Sequence, residues 1–232
     1  MSNPPDIILD LLYARWRAQT LYAGVKLNIF EVIRSEPIYF GEIARELGLD
    51  PSLLYRLLRA LCSLGLLNEQ RPEWFSITAV GEFLQNDHPQ SLRDLVLLRE
   101  GPEHTAVWKH LPEIVRDGRQ NGFEREFGYS AFDYAAHEPN YAMTFDAGMT
   151  SHSRLQTSWV LEALRDYDFS PIAHLCDVGG GQVTCSVIFY SSIRISWVPS
   201  WKGQAPLKTR KIFGQISSMS MIDANTWLGI CL

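Results

Sequence analysis

The stretch LDPSLLYRLLRALCSLGLLNEQRPEWFSIT, Leu49 to Thr78, decides how the first half of this chain folds. Asp50 followed by Pro51 reads as a helix start, with an acid at the cap and a proline where its missing N–H costs nothing. Gly65 reads as the stop. Between them the segment is rich in leucine from Leu53 onward. LLNEQRPEWFSIT then reads as strand, turn, strand, with Arg71 and Pro72 in the turn. Immediately upstream, YFGEIARELG is a short helix ended by Gly48. Helix, tight turn, helix and hairpin is the order of a winged helix-turn-helix.

Such a module either reads DNA or pairs with another protein surface. Groove contact needs an exposed, polar and basic helix face. The second helix offers only Arg56 and Arg59 as cations, set among leucines. The preceding segment, Asp6 to Phe30, reads as one long helix with Asp6 as its cap after Pro4 and Pro5. Its apolar stripe (Ile7, Leu11, Leu12, Ala14, Ala18, Leu21, Tyr22, Val25) is wide, and Trp16 widens it further. A helix that apolar in a small domain points to a partner chain.

Ser91 to Asp168 reads as mainly helical, in pieces broken at Gly101–Pro102, Gly118, Gly122 and Pro139. The last piece is rich in Met, Phe and Tyr, which is either core packing or pocket lining. HLCDVGGG follows. Ile172 to Val178 reads as a buried strand entering a glycine loop, where backbone can approach a ligand with no Cβ in the way.

A net charge of −5 gives no electrostatic reason to expect nucleic acid. Cys62, Cys176, Cys185 and Cys231 have neither metal spacing nor disulfide density, so a reducing, cytoplasmic setting is expected. The N-terminus lacks the features of a secretory leader. The apolar run Val183 to Val198 is too short and too polar to span a bilayer. No metal site and no membrane partner are expected.

Taken in order, WKHLPEIVRDG, FEREFGYSAFDY, FDAGM and CDVGGG on a helical N-terminal module resemble one family: the S-adenosylmethionine-dependent O-methyltransferases of the acetylserotonin and caffeate type. The resemblance runs from about Leu11 to Gly181. It implies a mainly α, winged-helix dimerisation domain followed by the beginning of an α/β, Rossmann-like methyltransferase domain. It implies a homodimer through interleaved N-terminal helices, and a small-molecule acceptor bearing a hydroxyl, with an aromatic ring suited to the pocket. S-adenosylmethionine is the implied cofactor, held at Asp177, Gly179, Gly180 and Gly181. Trp108, Phe145 and Met149 are implied to close the acceptor pocket, beside Tyr134. The implied reaction is displacement of the sulfonium methyl by a hydroxyl oxygen, aided by alignment and a base.

The family pattern continues D-x-G-G-G-x-G, then a helix, then a strand ending in an acid for the ribose. Here Val183 stands at the last glycine, and VTCSVIFYSSIRISWV favours strand over helix. No Asp or Glu occurs between Asp177 and Asp223, where a loop of this type expects one about 20 residues on. From Val183 onward there are five basic residues and one acid, a net +4, against −9 for the residues before it. None of the six histidines, His174 included, matches the family's base, so no catalytic residue is assigned. The expected organisation is a dimerisation domain at 1–100, a helical linker and methyltransferase start at 101–182, and an unrelated tail at 183–232. The expected methyl transfer is weak or absent in this truncated form. The alternatives are a non-enzymatic partner of a full-length methyltransferase and a winged-helix regulator binding DNA.

Overall fold

The computed structural model describes residues 3–168. The chain divides into a unit of residues 1–152 and a second that begins at Ser153. The strand expected at Ile172–Val178, the loop Asp177–Gly181 and the tail from Val183 lie outside the described residues.

Helix α1 spans Pro4–Lys26. Asn3 occupies its cap, the two prolines take the first helical positions, and Asp6 sits in the first turn rather than at the cap. There its charge faces the free N–H groups of the helix start. The expected single helix to Phe30 is broken. Asn28 adopts a left-handed conformation, φ 57°, and a short α2, Ile29–Val32, turns Ile29 and Phe30 into the core. Asparagine tolerates that region better than most side chains. The Asn28 side chain also accepts a hydrogen bond from Arg93 Nη2 at 2.9 Å.

A two-residue strand, β1 at Ile38–Tyr39, precedes α3, Phe40–Leu47. At two residues β1 is too short to show a periodicity in the sequence. It pairs antiparallel with the second hairpin strand, Ile38 opposite Phe75. Gly48 ends α3 at φ 66°, as expected. Helix α4 spans Pro51–Ser63, and the Asp50 carboxylate accepts from the Leu53 N–H at 2.8 Å. Strands β2, Leu67–Arg71, and β3, Trp74–Ile77, complete a three-stranded sheet ordered β1-β3-β2. Arg71 belongs to β2 and not to the turn, which consists of Pro72 and Glu73. Glu73 takes φ 73°, and its N–H donates to Glu69 Oε1 at 3.0 Å. The Arg71 guanidinium lies 4.0 Å from the Trp74 ring centre, a cation–π contact across the hairpin end.

One core joins these pieces. Leu54, Leu58 and Leu61 of α4 are buried against Val25, Phe30, Ile43, Leu67 and Phe75. Burying each leucine is worth roughly 1.5–3 kcal/mol. Gln85 is buried and donates to the Phe30 carbonyl at 3.0 Å, closing the end of α2. Of the two cations on α4, Arg59 is engaged rather than free. Arg59 Nε lies 3.7 Å from Glu69 Oε2, and its guanidinium stands over Tyr55.

The first half of α1 behaves differently. Ile7, Ile8, Leu11, Leu12 and Trp16 are all exposed, Leu11 and Trp16 at 67% and 68%. Five large apolar side chains facing water along one helix form an interaction surface.

The helical stretch after Ser91 contains α5, Arg93–Arg99; α6, Pro102–Val107; α7, Leu111–Asp117; α8, Gly122–Phe127; α9, Ala131–His137; and α10, Pro139–Ala163. Gly118 and Pro139 fall at breaks, while Gly122 opens α8. The piece expected between Gly101–Pro102 and Gly118 is not one helix. A tight helical turn, Trp108–His110, separates α6 from α7, and Pro112 in the first turn of α7 lacks the N–H a continuous helix needs. Ser130 caps α9 by accepting from the Asp133 N–H. No helix among the described residues is long and apolar enough to cross a membrane.

Candidate functional site

The chemistry-bearing groups of the first unit gather on α6, α8, α9 and α10. Leu98, Phe123 and Tyr141 form a buried cluster, with Phe127, Tyr134, Phe145 and Met149 packed around it. Ring centres lie 4.7 Å apart for Phe127–Tyr134, 5.1 Å for Tyr134–Tyr141 and 5.7 Å for Phe123–Tyr141. These tilted and edge-on arrangements are the favoured aromatic geometries. Tyr141, Phe145 and Met149 follow one another at four-residue spacing, so α10 presents them on one face.

What seats α10 is a close helix crossing. A Cβ on Gly148 would stand 2.7 Å from Leu98 Cβ and 3.0 Å from the Asp94 carbonyl. Only glycine lets the α5 backbone approach so near. Three residues on, Ser151 Oγ donates to the Ser91 carbonyl at 2.5 Å. FDAGM is therefore a packing device as well as a wall: its glycine brings α10 down onto α5, and its Phe and Met face the aromatic cluster.

One polar pair, His104 and Tyr141, is embedded in this apolar ground. His104 of α6 lies edge-on to Phe123, and its Nε2 is 3.2 Å from the Tyr141 hydroxyl. Burial pushes the His104 imidazolium down to about 4, and the nearby Arg99 charge adds to the shift. Burial, followed by the Glu103 charge, holds the Tyr141 phenol above its usual range. Both groups are therefore neutral across ordinary pH. A second polar feature, Glu126 of α8, lies beside the turn that follows α6. It accepts from Lys109 Nζ at 2.8 Å and pairs with His110 Nε2 at 2.7 Å. Those hydrogen bonds, Lys109's first, hold its carboxyl below the usual carboxylate range.

Of the residues expected at the acceptor site, Phe145 and Met149 come together on the cluster. Trp108, on the turn between α6 and α7, is instead 51% exposed. Tyr134 lies in the cluster. The cofactor residues Asp177, Gly179, Gly180 and Gly181 lie outside the described residues. His104, Tyr141 and Glu126 were not singled out from sequence. Their partners are 37 and 16 or more residues away, and no local pattern marks them. Among the described residues, no three His, Cys, Asp or Glu are placed to hold a metal ion.

The helical module carries an exposed apolar first helix, and the helices after it build an aromatic wall. The O-methyltransferase dimerisation domain matches residues 9–87, and the O-methyltransferase domain matches residues 108–192. The chain belongs to the O-methyltransferase family. It is 31% identical over 176 residues to the phenazine O-methyltransferase PhzM of Lysobacter antibioticus, a match covering 76% of this chain and 50% of that protein. It is 32% identical over 186 residues to the acetylserotonin O-methyltransferase of Mus musculus, covering 75% and 46%. The solved structure of LaPhzM superimposes with a TM-score of 0.74 at 29% identity, covering 82% of this chain and 56% of that one. Human N-acetylserotonin methyltransferase, solved with SAM, shares the fold with a TM-score of 0.72 at 22% identity, covering 82% and 56%. The chain spans about half the length of the relatives it matches.

Proposed function

We propose that this chain is an S-adenosylmethionine-dependent O-methyltransferase family member whose chemistry is methyl transfer to the hydroxyl of a small aromatic molecule. The observation that carries the reading is the ordered match of the two family domains over a wall of Phe, Tyr and Met side chains. Bound S-adenosylmethionine would supply an electrophilic methyl group. Asp177 would accept from it, and Gly179, Gly180 and Gly181 would leave room for it. Trp108, Phe145 and Met149 hold the flat acceptor by apolar contact. The Tyr141–His104 pair gives the wall a neutral polar spot.

The donor set fits the cofactor only in part. Val183 stands where the pattern has glycine, and no acid lies between Asp177 and Asp223 to hold the ribose. Methyl transfer by this chain alone is therefore weak or absent, and 183–232 is read as a segment unrelated to the domain it follows. Helices α3 and α4 with the hairpin form a winged-helix module used for pairing rather than for DNA. The exposed face of α1 then covers its counterpart in a second copy. The scattered cysteines suit a reducing, cytoplasmic setting.

The test is a tritium-methyl transfer assay with S-adenosylmethionine and a panel of phenols, run beside calorimetric titration of the cofactor. Weak saturable binding with little transfer is expected. Micromolar binding with turnover would overturn the weakness, and no saturable binding at all would overturn the cofactor assignment.

A second reading is favoured by the exposed α1 face: the chain pairs with a longer methyltransferase and alters its activity. Mixing the chain with such an enzyme and recording hetero-dimers and a changed turnover tests it.

A further inference from the structure

Trp108 is half exposed, yet the backbone beneath it is firmly tied. The two residues that follow it, Lys109 and His110, both reach the same carboxylate. Lys109 Nζ lies 2.6 Å from Glu126 Oε2, and His110 Nε2 lies 2.7 Å from it. The Glu126 and His110 side chains are only 18% and 20% exposed, so the His110 arm of this grip is largely sheltered from water, while the Lys109 side chain is 61% exposed. The sheltered bond to His110 is more directional than a surface ion pair, and the Lys109 pair adds to it from the solvent side.

Helix α8, which carries the carboxylate, is held at both ends. Phe123 is buried in the aromatic cluster, and Phe127 packs on Phe123 and Tyr134 at ring-centre distances of 5.3 and 4.7 Å. Arg125 ties the helix back to Asp117 of α7, and to Asn121 at 2.5 Å. A fixed helix carries a fixed carboxylate, and the carboxylate fixes the turn. An exposed indole on a free turn would sample many orientations, and ordering it on binding would cost affinity.

We infer that Glu126 is a positioning residue: by gripping Lys109 and His110 it locks the turn that carries Trp108 and presets the indole as a wall for a flat aromatic acceptor. The acceptor part of this inference rests on the reading of Trp108 given above; the locking of the turn does not. Glu126 touches no reacting atom in this scheme and acts only through the turn.

The experiment uses the full chain labelled with fluorotryptophan, with the Trp108 resonance assigned by Trp108→Phe. Naphthol serves as the flat phenol probe, and its affinity is measured by titration. Glu126→Gln is expected to move or broaden the Trp108 resonance while leaving the Trp16 and Trp74 resonances in place. It is also expected to weaken naphthol binding by about tenfold, the scale at which lost preorganisation shows. Trp108→Ala should weaken it equally, and the double variant no further. If Glu126→Gln fails to fold, Lys109→Met with His110→Asn leaves α8 untouched and is read the same way. An unchanged Trp108 resonance overturns the inference. A moved resonance in a protein that never binds naphthol upholds the lock and removes the acceptor reading of Trp108 instead.

Discussion

The Tyr141 hydroxyl stands 3.2 Å from His104 Nε2 inside an aromatic cluster, joining α10 to α6 by a hydrogen bond between two neutral rings. The pair sets a pH dependence. His104 is pushed down to about 4 in the folded chain, below the ordinary value of 6.5. The unfolded chain therefore binds the extra proton first, and stability falls as pH drops from 6.5 towards 4. The effect reaches roughly 2–3 kcal/mol at its fullest. His104→Gln keeps a polar partner for Tyr141 and has no such titration. Urea melts of both proteins across this window should show a difference that shrinks as pH falls and levels off near 4. A constant difference would mean that His104 is not held neutral.

Gly148→Ala is expected to destabilise the chain by about 1–3 kcal/mol, the range for overpacking a helix crossing. The added Cβ would meet Leu98 Cβ at 2.7 Å and would have to lift α10 off α5. The Phe145 and Met149 side chains would move with it. The midpoint of denaturant unfolding is the readout, and a midpoint equal to wild type would contradict the crossing.

Asp50→Ala removes the acceptor for the Leu53 N–H at the start of α4. A loss of about 1 kcal/mol is expected, as for other helix caps. Asp50→Ser should restore most of it in the same melts.

Leu11→Glu with Trp16→Glu places two charges on the exposed face of α1. Light scattering at micromolar concentration should give twice the 26.4 kDa chain mass for wild type and a single chain mass for the variant. The variant should keep its helical circular dichroism, since neither side chain belongs to the core. A wild-type monomer would remove the dimer.

Much of this was legible in the sequence where the signals are local. Asp50–Pro51 and Gly48 are cap chemistry, and they fall where expected. The hairpin followed from alternation around Pro72, with Arg71 misplaced by one residue because strand ends carry no signal of their own. The break at Asn28 was missed because apolar spacing continues straight through it. The backbone turns there on one asparagine in a left-handed conformation, supported by Arg93 some 65 residues later. The same reason hid the site's polar residues. Phe145 and Met149 belong to a visible four-residue rhythm, whereas His104 and Glu126 gain their meaning from partners on other helices. FDAGM was read as a wall, yet its glycine acts first on packing.

Whether this chain holds the methyl donor is decided by titrating the full chain with S-adenosylmethionine in a calorimeter and then following tritium transfer to naphthol. Saturable binding weaker than about 0.1 mM is expected, a scale near −5 kcal/mol, with transfer slow or undetectable. Absence of any saturable binding contradicts the cofactor assignment, and micromolar binding with sustained turnover contradicts the reading of Val183 and the acid-free stretch after Asp177.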